Sequence, residues 1–106
     1  MREKQTAVDE KWRLEIPQEI VRREAINEAT PLFLAESEDG CLKIYFRNPN
    51  AEFIELKPRL HKLWRGKFSA FRLTIPRTLR DSTSFYLGRK IILVDRGQSL
   101  ELWPRP

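Results

Sequence analysis

Trp12-Arg13-Leu14-Glu15-Ile16-Pro17 is the stretch that decides the fold, because the chain contains its pattern twice. It returns as Phe71-Arg72-Leu73-Thr74-Ile75-Pro76, and the arginine and the proline recur at the same interval (72 − 13 and 76 − 17, both 59). Each copy reads aromatic, arginine, alternating apolar and polar residues, then proline. The alternation predicts a short strand, and the proline suits the first turn of a helix. A tandem repeat in a short chain predicts two small units related by a pseudo-two-fold axis.

Both copies continue in the same order: a short charged helix, a buried strand, a turn and a return strand. In the first copy, Ile20 is predicted to point from the helix to the core, and Asp39-Gly40 supplies a hairpin turn that tolerates positive φ. The predicted strands cover residues 6–8, 13–16, 32–35 and 41–46, then 91–94 and 99–103, and residues 1–5 are expected to form a disordered arm.

The segment between the copies carries apolar residues at helical spacing, namely Phe53, Leu56, Leu60, Leu63 and Trp64. Pro58 lies within it, so we expect a kinked or two-piece helix over residues 50–64. The predicted organisation is a single domain over residues 1–106, with a first repeat at 6–47, a helical linker at 48–66 and a second repeat at 67–104.

Length and composition favour one small soluble domain. The 106 residues are enough for one core, and a chain that is 41% hydrophobic and 33% charged is ordinary for a globular protein. No stretch approaches the roughly 18 apolar residues of a membrane span, and the N-terminus does not resemble a secretory signal. The single cysteine, Cys41, excludes an internal disulfide and fits a reducing compartment. We therefore expect a cytoplasmic protein with no membrane partner.

The charge is unevenly distributed along the chain. Residues 1–53 hold 8 Lys+Arg and 11 Asp+Glu, whereas residues 54–106 hold 12 and 4, so the halves carry −3 and +8 of the net +5. A basic excess confined to one half indicates a polyanionic partner. A solvated basic surface that keeps the protein soluble is the alternative reading, and charge alone does not choose between them.

Catalytic and metal-binding patterns are absent from the sequence. His61 is the only histidine and is predicted to lie on the surface of the linker helix, while Cys41 is predicted to be a packed thiol within a strand. There is no metal-ligand spacing and no glycine-rich phosphate loop. We expect no enzyme activity, no cofactor and no small-molecule substrate.

The first copy, Val8-Asp9-Glu10-Lys11-Trp12-Arg13 followed by Ile16-Pro17, resembles the start of an AbrB-type swapped-hairpin domain. Two copies in one chain, the segment Asp39–Tyr45 and the ending Leu100-Glu101-Leu102-Trp103 are similar to the MraZ family of bacterial transcriptional regulators. The resemblance spans residues 6–103. It implies a mainly-β, tandem swapped-hairpin β-barrel with short helices. It also implies a nucleoid-associated homo-oligomer that binds repeated elements of double-stranded promoter DNA.

The resemblance also implies which residues contact DNA. Arg13 occupies the DNA-contacting position, and an ion pair with Asp9 that fixes the loop is a compatible alternative. Asp9, Pro17 and Pro76 form the structural signature. Contacts with DNA are expected at the basic residues Lys11, Arg13, Arg22, Arg23, Arg65, Lys67, Arg72, Arg77 and Arg80.

The chain departs from the family pattern in both copies. The Asp of the second copy is replaced by Phe68, and the Gly before the arginine is replaced by Trp12 in the first copy and by Phe71 in the second. An aromatic residue disfavours the tight bend that Gly permits. These changes leave a second hypothesis open, in which the chain is an assembly or partner-binding module anchored by the two aromatic residues.

Overall fold

The computed structural model describes residues 2–63, 68–80 and 90–105. The predicted mainly-β class is confirmed, since this part of the chain forms two antiparallel sheets with two short helices. The elements are β1 (Glu3–Ala7), β2 (Arg13–Glu15), α1 (Gln18–Arg23), β3 (Leu32–Glu36), β4 (Leu42–Tyr45), β5 (Ile54–Leu56), β6 (Arg59–Leu63), β7 (Phe68–Thr74), α2 (Arg77–Arg80), β8 (Lys90–Asp95) and β9 (Ser99–Pro104).

The larger sheet has six strands in the order β1-β8-β9-β4-β3-β5. Its two hairpins, β3–β4 and β8–β9, meet along β4 and β9, where Lys43 lies opposite Glu101. The outer strands cross over between the copies, because β1 pairs with β8 and β5 pairs with β3. Each half of the sequence therefore supplies the edge strand for the hairpin of the other half.

The smaller sheet, β2-β7-β6, joins the two copies of the deciding stretch directly. Leu14 lies opposite Leu73, its counterpart in the repeat. The Ile16 N–H donates to the Phe71 carbonyl, and the Ile75 N–H donates to the Trp12 carbonyl, both at 2.8 Å. Positions that are equivalent in the sequence thus make reciprocal hydrogen bonds.

One hydrophobic cluster joins both sheets and both helices. Leu14, Leu73 and the helix residues Ile20 and Leu79 are buried in it, as the period-two pattern and the helix prediction require. Burying a side chain of this size stabilises the fold by about 1.5–3 kcal/mol. Neither half could form this cluster alone, because each half contributes only some of its buried side chains.

Helix α1 begins after Pro17 and ends in a Schellman motif. The Ile26 N–H donates to the Val21 carbonyl, and the Ala25 N–H donates to the Arg22 carbonyl. Ala25 takes the left-handed conformation at φ 52°, a position that glycine usually occupies. The predicted helix after the first proline is confirmed.

Three predictions about the fold need correction or restriction. The arm predicted to be disordered, residues 1–5, contributes residues 3–5 to β1, because its backbone pairs with β8 although its side chains are exposed. The helical linker is wrong, because its described residues form β5 and β6 on either side of Pro58. No closed barrel was found within residues 2–63, 68–80 and 90–105.

Candidate nucleic-acid interface

Three arginines meet on the outer face of the small sheet. Successive residues of a strand point to opposite faces, so Leu14 and Leu73 point to the core while Arg13 and Arg72 point away from it. Arg59 of β6 lies directly opposite Arg72 of β7. Directly opposed residues have Cβ atoms roughly 4.5–5.5 Å apart. We call the surface formed by Arg13, Arg59, Arg72 and His61 the arginine face.

Arg13 is held in place by Asp9, four residues earlier. The Arg13 Nε donates to Asp9 Oδ2 at 2.8 Å, and Asp9 Oδ1 accepts the backbone N–H groups of Lys11 and Arg13 at 2.9 and 2.8 Å. Burial raises the pKa of the Asp9 carboxyl, but the backbone and side-chain hydrogen bonds from Arg13 outweigh it, and the pKa is lowered overall. The predicted ion pair is confirmed. Because Asp9 holds the Nε of Arg13, it also orients the two terminal nitrogens of the guanidinium.

Two carboxylates moderate the positive charge of the arginine face. Asp9 neutralises Arg13, and the exposed Glu15 lies opposite Arg72 in the ladder. The three arginines and two acids leave a small positive excess on this surface. Arg59 has the least compensation in the register, since its opposite neighbour is another arginine.

His61 lies on β6 beside the three arginines, opposite the buried Ala70. It is half-buried on a strand, so its predicted position on a helix is wrong. Desolvation lowers the pKa of His61, and the charges of Arg13, Arg72 and Arg59 lower it further, while Asp9 opposes them. The charges of all three arginines therefore act on the imidazole and disfavour its protonation.

Trp12 shapes the loop that presents Arg13. Its φ of 60° lies in the left-handed region, where an L side chain costs about 1–2 kcal/mol. The half-buried ring packs against the hydrophobic cluster, and the guanidinium of Arg80 lies 5.1 Å from the ring centroid. This packing compensates for the strain.

Two of the residues predicted to contact DNA make contacts within their own chain. Arg80 donates from Nε to the Ile75 carbonyl at 2.8 Å and covers Trp12. Arg23 bonds Asp95 at 2.6 and 3.2 Å, Glu24 at 2.8 Å and the Gly97 carbonyl at 3.2 Å. These bonds raise the pKa of the Arg23 guanidinium, with Asp95 as the main cause. We therefore do not include Arg23 and Arg80 in the proposed interface.

The remaining predicted residues are dispersed. Lys11, Arg22 and Arg77 are exposed, in the loop before β2 and on the two helices respectively. Arg65 and Lys67 lie outside the described residues. Sequence analysis missed Arg59 and His61 as site residues because it placed them on a helix. The alternation in Arg59-Leu60-His61 was the available signal for a strand.

Other kinds of site find little support in the described part of the chain. Residues 2–63, 68–80 and 90–105 contain no group of three or more side chains able to hold a metal ion, and none of their helices is long and apolar enough to span a membrane. Cys41 is buried, and that burial raises the pKa of its thiol. No known protein family, curated protein or solved structure matches the chain.

Proposed function

We propose that the chain is a DNA-binding transcriptional regulator of the MraZ type, acting as a homo-oligomer on double-stranded promoter DNA in the cytoplasm. The arginine face is the observation that carries this proposal. Arg13, Arg59 and Arg72 come from three different strands of one sheet and share one surface. A guanidinium can fork onto a phosphate or a guanine edge, so such a surface suits a nucleic acid.

The three arginines would have different roles. Asp9 fixes the orientation of Arg13, which favours a directional contact with a base edge. Arg59 and Arg72 lie side by side, with Glu15 on the other side of Arg72, and would contact the phosphate backbone. Phosphate contacts position a protein on the duplex, whereas base contacts select the sequence.

The crossed strand pairing supports the swapped-hairpin part of the proposal. In this arrangement two copies of a small unit interlock, as β1 with β8 and β5 with β3 would do. Reciprocal hydrogen bonds at Ile16 and Ile75 agree with a pseudo-two-fold axis through the small sheet. An oligomer would compensate for the modest charge of one arginine face, because several weak contacts on one DNA molecule add avidity.

The test is fluorescence anisotropy with labelled duplex DNA across a salt series. The variants are Arg13→Ala, Arg59→Ala and Arg72→Ala, with Arg47→Ala as the matched control, since Arg47 is an exposed arginine in the loop after β4. We expect the logarithm of affinity to fall linearly with the logarithm of salt concentration. Loss of one phosphate contact, in Arg59→Ala or Arg72→Ala, should make that slope about 0.9 less steep. Arg47→Ala should have the same slope as the wild type.

The proposal is wrong if the wild-type protein does not bind duplex DNA at low salt, or if Arg47→Ala weakens binding as much as the three cluster variants do. Trp12 and Phe71, the anchors in the assembly-module hypothesis, are half-buried and pack against the core of their own chain. Absence of DNA binding together with a stable oligomer would favour that hypothesis.

A further inference from the structure

His61 occupies a position on the arginine face that the proposed DNA contacts do not use. It is two residues after Arg59 on β6, so both side chains lie on the same side of the sheet. The charges that act on it come from β2 with Arg13, from β7 with Arg72, from its own strand with Arg59 and from the preceding loop with Asp9. Glu15, on β2, faces Arg72 on the same surface.

These surroundings favour the neutral form of the imidazole in the free protein. Partial burial disfavours its charged form, and three nearby guanidinium groups repel a fourth positive charge. Asp9 is the opposing charge, but its carboxylate is already engaged by Arg13. A neutral histidine among arginines can gain a proton when an anion neutralises them.

We propose that binding of DNA phosphates to the arginine face is coupled to uptake of a proton by His61, so that affinity for DNA rises as the pH falls. This inference rests on the proposed function, and it adds a pH dependence that the arginines cannot supply, because they stay protonated throughout the physiological range.

The sign follows from linkage between proton and DNA binding. Phosphates that pair with Arg59 and Arg72 remove the repulsion that acts on His61 and add a negative charge beside it. The pKa of His61 is therefore higher in the complex than in the free protein. Between those two pKa values DNA binding takes up a proton, and the affinity gains about tenfold for each unit of difference.

The experiment measures anisotropy with duplex DNA at constant ionic strength from about pH 8 to about pH 5, the range in which histidine titrates. Wild type is compared with His61→Gln, which stays neutral, and with His61→Lys, which stays charged. We expect wild-type affinity to rise toward low pH. His61→Gln should bind DNA weakly and His61→Lys should bind it tightly. The affinity of both variants should be independent of pH. Calorimetry in two buffers of different ionisation enthalpy should show uptake of up to one proton by wild type only.

A flat wild-type profile, or an equal slope in His61→Gln, would overturn the inference while leaving DNA binding intact. Absence of DNA binding at every pH would remove the proposed function as well. Circular dichroism of the variants across the same pH range distinguishes these results from loss of the fold.

Discussion

At the scale of single residues, the structure places the arginines in two different surroundings. Arg23 and Arg80 are bound within the chain, whereas Arg13, Arg59 and Arg72 are gathered on one face. Sequence analysis named the Asp9–Arg13 ion pair as an alternative compatible with DNA contact, and the structure contains it. Sequence analysis could not separate Arg22 from Arg23, since the partner of Arg23 is Asp95, 72 residues further along.

Glu15 provides a test of the charge on the arginine face. Its carboxylate lies opposite Arg72, so Glu15→Gln removes a negative charge without changing the shape of the side chain. We expect affinity for duplex DNA to rise about two- to fivefold at low salt. Glu38→Gln, in the exposed turn before β4, is the control and should leave affinity unchanged. An unchanged or weaker affinity in Glu15→Gln would argue that DNA does not approach this face.

Asp95 provides a test of the internal ion pair and of its pH dependence. Its side chain is 8% exposed, and the hydrogen bond from Arg23 is the largest cause of its lowered pKa. Asp95→Asn keeps an oxygen for the Gly97 N–H but removes the charge. We expect a loss of about 1–2 kcal/mol in the free energy of unfolding at pH 7, discounted because Arg23 is partly exposed.

The pH profile of the Asp95→Asn difference has a definite sign. A carboxylate whose pKa is lowered in the folded state stabilises the protein above its unfolded pKa and loses that effect as the pH falls through the folded value. The difference in free energy of unfolding between wild type and Asp95→Asn should therefore be largest near pH 7 and become smaller below about pH 4. Chemical denaturation at several pH values measures it, with Asp39→Asn as an exposed turn control. A gap that stayed constant in acid would exclude an ionic origin.

At the scale of elements, the hairpins were predictable and the linker was not. Asp39-Gly40 and the alternating strands around it specify β3 and β4 locally, and Gly40 has the expected positive φ. The apolar residues between Phe53 and Leu63 fit a helical period, but pairing with β3 and β7 places them in strands. Pro58 predicts a kinked or two-piece helix, whereas in the structure it separates two strands. Strand β1 carries no apolar pattern, because an exposed edge strand needs only its backbone to pair.

The end of α1 offers a prediction about this scale. Ala25 is exposed, has a φ of 52° and occupies the position of a Schellman motif that favours glycine. Ala25→Gly should raise the free energy of unfolding by about 0.5–1 kcal/mol, because relief of the strain exceeds the added entropy of the unfolded chain. Thermal and urea unfolding measure the change. Ala29→Gly, at a turn position without positive φ, should be neutral or destabilising, and an equal gain there would refute the strain argument.

At the scale of the whole molecule, the two halves of the chain depend on each other for their structure. The strand pairing gives this a physical basis, since β1, β2 and β4 all find partners in the second half of the chain. The sequence could not show which strands would cross over, because strand order depends on contacts between residues far apart in the chain. The arginine face could not be predicted for the same reason, because residues 13, 59 and 72 are brought together only by the strand pairing.

A split of the chain in the loop before β5 tests the interlocked arrangement. Fragments 1–51 and 52–106 each retain one hairpin of the six-stranded sheet, but each lacks the edge strand and the core residues that the other provides. We expect each fragment alone to lack a cooperative unfolding transition, and an equimolar mixture to regain strand signal in circular dichroism with a 1:1 complex in sedimentation. A fragment that folded cooperatively as a monomer would contradict the arrangement.

The most direct test of the central claim is to map the DNA contact on the folded protein by nuclear magnetic resonance. Titration of the ¹⁵N-labelled protein with duplex DNA should shift the amide signals of Arg13, Arg59, His61 and Arg72, and the arginine Nε–H signals of the same face. Signals of the six-stranded sheet, such as those of β1 and β8, should change little. Shifts concentrated on the six-stranded sheet, or none at saturating DNA, would contradict the claim that the arginine face binds DNA.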